Sequence, residues 1–207
     1  MTTKLVTEHP HHHEEHHHEE HHDTDATRVF GFWLYIMSDC LIFASLFATY
    51  LVLRDGTYNG FSVKNFTDLP YVLGETIFLL ASSFTYGMAI LQMYHRKKQK
   101  VISWLIVTFI LGLSFVIMEV NEFQNLIHEG HGPTTSAAMT AFFSLVGTHG
   151  LHVSLGLFWM LVMIIQVSIF NINNDTERRL TYLGLFWAFL DIVWIFVYSV
   201  VYLWGAI

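Results

Sequence analysis

Five long apolar stretches constrain this chain more than any other feature. They run over residues 29–53, 71–94, 101–127, 137–170 and 180–207. A bilayer hydrocarbon core of about 30 Å needs about 20 helical residues, and every stretch supplies them. The connections carry the breakers: Asp55-Gly56, Asn59-Gly60 and Pro70, then Gly130, Gly132 and Pro133, then Asn171 to Asp175. Helices are preferred over strands because no period-two alternation with ten-residue spacing appears, and helices satisfy their own backbone in lipid. The expected fold is therefore all-α and integral to a membrane, a bundle of five transmembrane helices over residues 29–207. The fourth and fifth stretches exceed the bilayer and are expected to tilt or project.

Composition agrees: 53% of residues are hydrophobic and 13% charged, against about 25% charged in soluble domains. Residues 1–28 stand apart. They hold nine histidines among acids, too little apolar surface to fold, and are read as a disordered cytoplasmic tail. His-rich tracts can bind transition metals, but these histidines keep no fixed ligand spacing, so a solvated tail without a metal site is the favoured reading. Seven of the seventeen acids lie in the first 25 residues, so the net charge of −7 says little about partners. The single cysteine, Cys40, sits in an apolar run and reads as a small buried residue. No cleavable signal is evident. No Walker loop, dinucleotide fingerprint, zinc spacing or nucleophile elbow occurs, and no nucleic-acid partner is expected.

Orientation follows from Lys and Arg. Lys4, Arg28, Arg96, Lys97, Lys98, Lys100, Arg178 and Arg179 fall on one side of a five-span topology, and only Arg54 and Lys64 on the other. The positive-inside rule then places the N-terminus in the cytoplasm and the C-terminus outside.

Ionisable groups inside spans are costly and call for an explanation. Asp39, Glu75, Glu119, Glu122, Asp191, His149 and His152 all lie inside the stretches, with no Lys or Arg deep in any of them. The acids cannot all be ion-paired within the chain; they must hold protons, accept hydrogen bonds, or pair across an interface. Counted at about 1.5 Å per residue, Asp39, Asp191, His149 and His152 share a level near the midplane. Glu75, Glu119 and Glu122 cluster toward the outer face. His149 and His152 are expected to share a face of the fourth helix and to meet Asp39. Ser144, Gly147, Gly150 and Ser154 form a small-residue stripe opposite, suited to tight packing. Haem ligation between helices usually needs His on two facing helices, and a metal centre would need carboxylates to complete it, which the depths of Asp39 and Asp191 do not forbid. The favoured reading makes the histidines hydrogen-bond partners of the buried acids. The seven groups together read as a structural polar network, with a proton path as the sharper alternative. A small transporter or channel would need broken helices in paired repeats, which are not seen. A di-haem cytochrome would need a second helix of deep histidines.

Several segments resemble a known family. Gly147-Thr148-His149-Gly150-Leu151-His152-Val153 resembles the fourth-helix signature of haem–copper oxidase subunit III, and residues 186–195, from Phe186 through Asp191 to Ile195, resemble its last-helix signature. Residues 30–40, ending Ser38-Asp39-Cys40, look like the first helix of the quinol-oxidase branch, and Asn121-Glu122-Phe123 resembles the third helix's acidic motif. That branch has five helices and a His-rich tail, where longer subunits have seven helices. The family usually carries His where this chain has Ala188, so any polar link through that side chain is absent or rerouted. Asp39 falls where many relatives carry a buried Glu. The resemblance implies an accessory subunit of an oxygen-reducing, proton-pumping quinol oxidase in a bacterial inner membrane. It implies no catalytic centre or cofactor in this chain, with haem and copper in subunit I. It further implies subunit I as the direct partner, subunits II and IV in the complex, contacts with phospholipid, and ubiquinone within the complex.

Overall fold

The computed structural model describes residues 15–54, 69–130, 132–169 and 173–203. Five helices follow in order: α1 (Glu15–Leu53), α2 (Leu69–Tyr94), α3 (Lys98–His128), α4 (Ala137–Ile169) and α5 (Asn174–Val197), the last running into a π-helical segment, Tyr198–Leu203. All five are long and apolar enough to cross a membrane, and no strand occurs among the described residues. The helices match the five apolar stretches to within a turn, except that α5 starts at Asn174, six residues before the expected 180, and except at the chain's beginning. There the backbone is helical from Glu15, through the second half of the segment expected to be a disordered tail. Glu is a good helix former, and no Pro interrupts residues 15–53. Residues 1–14 lie outside the described residues.

The chain forms two compact units, Met1–Asp39 and Cys40–Ile207. In the first, the helix keeps Ile36 and Asp39 buried while Trp33, Leu34, Tyr35 and Met37 are exposed. In the second, α2 packs against α3 and α5, and α4 packs against α3 and α5. Every helix shows apolar side chains outward, such as Leu41, Phe84, Ile110, Phe158 and Ile192, as expected where lipid or another subunit is the solvent.

Close packing here rests on glycine seats for aromatic rings. A Cβ placed on Gly112 of α3 would lie 2.9 Å from both Trp187 Cζ2 and Leu157 Cδ2, and one on Gly156 of α4 would lie 3.1 Å from Trp187 Cζ3. The Trp187 indole of α5 is thereby gripped by two backbones. Its Nε1 donates to Ser82 Oγ of α2 at 3.0 Å, so one side chain touches all three other core helices.

The α2–α3 turn is three residues long. Arg96 N donates to Met93 O at 2.8 Å and Lys97 N to Gln92 O at 3.2 Å, the two bonds of a Schellman ending. Arg96 occupies the left-handed position at φ 52°, where glycine is the usual residue.

Candidate functional site

The buried polar groups divide into a ladder along α2 and two clusters. From one end of α2 to the other, Tyr71 Oη donates to Met118 O of α3 at 3.1 Å, and Thr76 Oγ1 accepts from Trp194 Nε1 of α5 at 3.1 Å. Ser82 Oγ accepts from Trp187 Nε1, Thr85 and Thr108 share a hydroxyl–hydroxyl bond of 2.8 Å, and Tyr86 Oη donates to Leu180 O at 2.6 Å. The pairs run antiparallel in both α2–α3 and α2–α5, so the ladder sets helix register. Each such bond is worth about 0.6 kcal/mol in a membrane, up to about 1.7. None of these groups is charged, so a search of the spans for ionisable residues passes over them. Indoles and hydroxyls at buried helix faces were the available signal.

The first cluster gathers the three outer acids. Glu75 of α2 faces Glu122 and Glu119 of α3, and all three are buried. Tyr202, carried by the π-helical segment, donates from Oη to Glu122 Oε2 at 3.2 Å, and Tyr71 also faces Glu75 and Glu122. The Glu119 carboxyl lies on Gly150 of α4, where an added Cβ would come 2.8 Å from both its oxygens. Among the described residues, both Glu75 oxygens and Glu119 Oε1 are buried without a hydrogen bond. The cluster of Glu75, Glu119 and Glu122 expected from helix counting is thus assembled; Tyr202 and Gly150 are additions that only the packing supplies.

The second cluster surrounds His149. Its ring is wholly buried, stacked on Trp194 at 5.1 Å, with the Phe115 ring edge-on at 6.0 Å and Phe43 at 6.3 Å. Among the described residues neither ring nitrogen has a hydrogen-bond partner. The expectation that this histidine hydrogen-bonds a buried acid is therefore not met. Three residues advance a helix by about 300°, so the two histidines point some 60° apart. His149 turns into the aromatic core. His152 is half-buried beside Phe43 at 5.3 Å, with Nδ1 2.7 Å from Thr148 O. Asp39 is buried on α1. Asp191 of α5 lies beside Ser83 of α2, and Asp191 Oδ1 and Ser83 Oγ are both buried without closing a hydrogen bond.

The small-residue stripe on α4 splits. Gly147 and Gly150 face Phe123 and Glu119 of α3, whereas Ser144 and Ser154 are exposed and return their hydroxyls to Thr140 O and Gly150 O of their own helix. Ten residues do not complete a whole number of turns, so the stripe winds out of the contact. Gly156, outside the expected stripe, makes the close approach to Trp187. Ala188, where the resembled family carries His, is exposed. Cys40, expected to be buried, is exposed as well, facing outward from α1.

Among the described residues no three His, Cys, Asp or Glu side chains converge on a metal position. Fold and buried groups define a polytopic α-helical membrane protein whose intramembrane polar residues join helix to helix. Within that class the chain belongs to the cytochrome c oxidase subunit III family, whose model matches residues 10–206. It is 54% identical over 185 residues to the cytochrome bo(3) ubiquinol oxidase subunit 3 of Pseudomonas aeruginosa, covering 89% of this chain and 88% of that protein. It is 47% identical over 177 residues to the protein of that name from Buchnera aphidicola (subsp. Baizongia pistaciae), covering 86% and 91%. A Bacillus sp. (strain PS3) protein named cytochrome c oxidase subunit 3 is 42% identical over 177 residues, covering 86% of each chain.

Proposed function

We propose that this chain is the accessory subunit III of a bacterial cytochrome bo-type ubiquinol oxidase, a complex that oxidises quinol, reduces oxygen to water and pumps protons. The observation that carries this reading is the 54% identity to a bo(3) ubiquinol oxidase subunit over nearly the whole length of both chains. The chain supplies no catalytic centre of its own; haem and copper reside in subunit I, which it stabilises by direct contact, with subunits II and IV completing the complex. It lies in the inner membrane with its N-terminus cytoplasmic and its C-terminus periplasmic, as its Lys and Arg distribution favours. Phospholipid covers the outward apolar faces that no subunit covers. The buried polar set of Asp39, Glu75, Glu119, Glu122, His149, His152 and Asp191 serves packing. The support is that Tyr202 Oη bonds Glu122 Oε2 at 3.2 Å, tying the end of the last helix to α3, and that the His149 ring packs against the rings of Phe115 and Trp194.

The test is purification of the complex with and without this chain. Haem and copper per subunit I should be unchanged by its removal, while the lifetime of the complex in detergent falls. Stoichiometric haem or copper on the isolated, folded chain would refute the accessory reading.

A further inference from the structure

The ends of α2, α3, α4 and α5 opposite the acid cluster carry a concentration of positive charge. Lys98 Nζ donates to Ser168 O at 3.0 Å, and Arg179 Nη1 donates to Gln166 Oε1 at 3.3 Å. Both acceptors lie in the last turn of α4, so the α2–α3 turn and the start of α5 are drawn to one place. Arg96, Lys97 and Lys100 stand exposed beside Lys98.

Part of this grouping opposes the dipole of α3. Lys97, Lys98 and Lys100 lie at the N-terminal end of α3, where the helix dipole disfavours cations. That helix has no acid in its first turn, whereas α5 begins with Asp175 and Glu177. Arg96 holds a left-handed backbone that glycine would adopt more cheaply. An anion placed over Arg96, Lys97 and Lys100 relieves both the mutual repulsion and the clash with the dipole.

The surroundings select the kind of anion. α2 ends at Tyr94, and α3 begins four residues later. Tyr94 is 66% exposed, Leu91 49% and Ile169 69%, so an apolar outer wall reaches to within a turn or two of the cations. A headgroup phosphate lies at that depth, with its acyl chains along the wall; a soluble anion would leave the wall unused. We propose that Arg96, Lys97 and Lys100 form a binding site for the phosphodiester of an anionic phospholipid, with Lys98 and Arg179 fixing the two loops that frame it. The site requires only that the chain span a membrane, not a particular electron donor.

The test uses the whole purified complex, stripped of lipid in neutral detergent and titrated with dioleoyl phosphatidylglycerol, with bound lipids counted by native mass spectrometry. Each basic residue near an anionic headgroup contributes roughly five-fold in affinity, so R96Q/K97Q/K100Q should weaken one binding step on the order of 100-fold. The charge-preserving variant R96K/K97R/K100R should retain that step. Phosphatidylcholine should not fill it, and inorganic phosphate should not displace the lipid. Equal phosphatidylglycerol binding by wild type and the Gln variant overturns the proposal. So does displacement by inorganic phosphate, which would mark a soluble-anion site. Filling of the site only after deletion of residues 1–22 overturns it too, since the acidic N-terminal segment would then be the occupant.

Discussion

Substituting Gly112 by Ala tests whether the grip on Trp187 organises the core. The new methyl would sit 2.9 Å from Trp187 Cζ2, 3.0 Å from Cη2 and 2.9 Å from Leu157 Cδ2. Leu157 meets it with the end of a flexible side chain and can rotate away. The indole cannot, because Gly156 backs its other edge and Ser82 holds its Nε1. Overpacking of this kind costs about 1–3 kcal/mol. Replacing a mid-helix glycine by alanine returns about 0.5–1 kcal/mol of backbone preference, so the net loss is between about 0 and about 2.5 kcal/mol. Gly74→Ala is the control: its methyl meets Met118 Cε at an ordinary 3.7 Å and keeps the backbone term alone. The difference between the two variants isolates the steric cost. Trp187→Phe in the Gly112→Ala background should recover about 1 kcal/mol relative to additivity, since contacting residues couple. The assay is SDS titration of the purified complex, followed by tryptophan fluorescence and by retention of the subunit. Equal stability of the Gly112 and Gly74 variants, or no coupling with Trp187, would refute a rigid indole seated on glycine.

Three other substitutions and one fusion probe the remaining links. Tyr202→Phe removes one donor to Glu122 and should cost about 0.6 kcal/mol, up to about 1.7, in the same titration; a neutral result would mean that this bond adds nothing to the cluster's other contacts. His149→Leu keeps an apolar filling and deletes two unpaired nitrogens, so stability should hold within about 1 kcal/mol; rapid loss of the subunit would reveal a partner outside this chain. Thr76→Val should lower stability by about 0.6 kcal/mol, up to about 1.7, by removing the acceptor of Trp194, with Trp194→Phe in the same background adding no further hydrogen-bond loss. A periplasm-active reporter fused after Ile207 should be functional, and cytoplasmic activity of a matching reporter would overturn the orientation.

Much of the protein was legible from its residues alone, for a physical reason. A bilayer demands about 20 apolar residues per helical crossing and admits only helices or closed barrels, so five runs of that length without period-two alternation determined the number of spans. Depth could be counted along each helix, which is why Glu75, Glu119 and Glu122 were expected together and are found together. Azimuth could not be counted. Whether His149 meets an acid or an indole depends on how α4 is rotated against α3 and α5, and that rotation is set by side-chain volumes at many contacts at once. The same rotation decided that Gly156, not Ser144 or Ser154, approaches a neighbour. It also turned Trp187 and Trp194 toward hydroxyls on α2, and brought Tyr202 to Glu122 through a π-helical ending that no local pattern announced. Periodicity in one helix carries no information about the phase of the next, so the spans belong to the sequence and the partners within them belong to the packed structure.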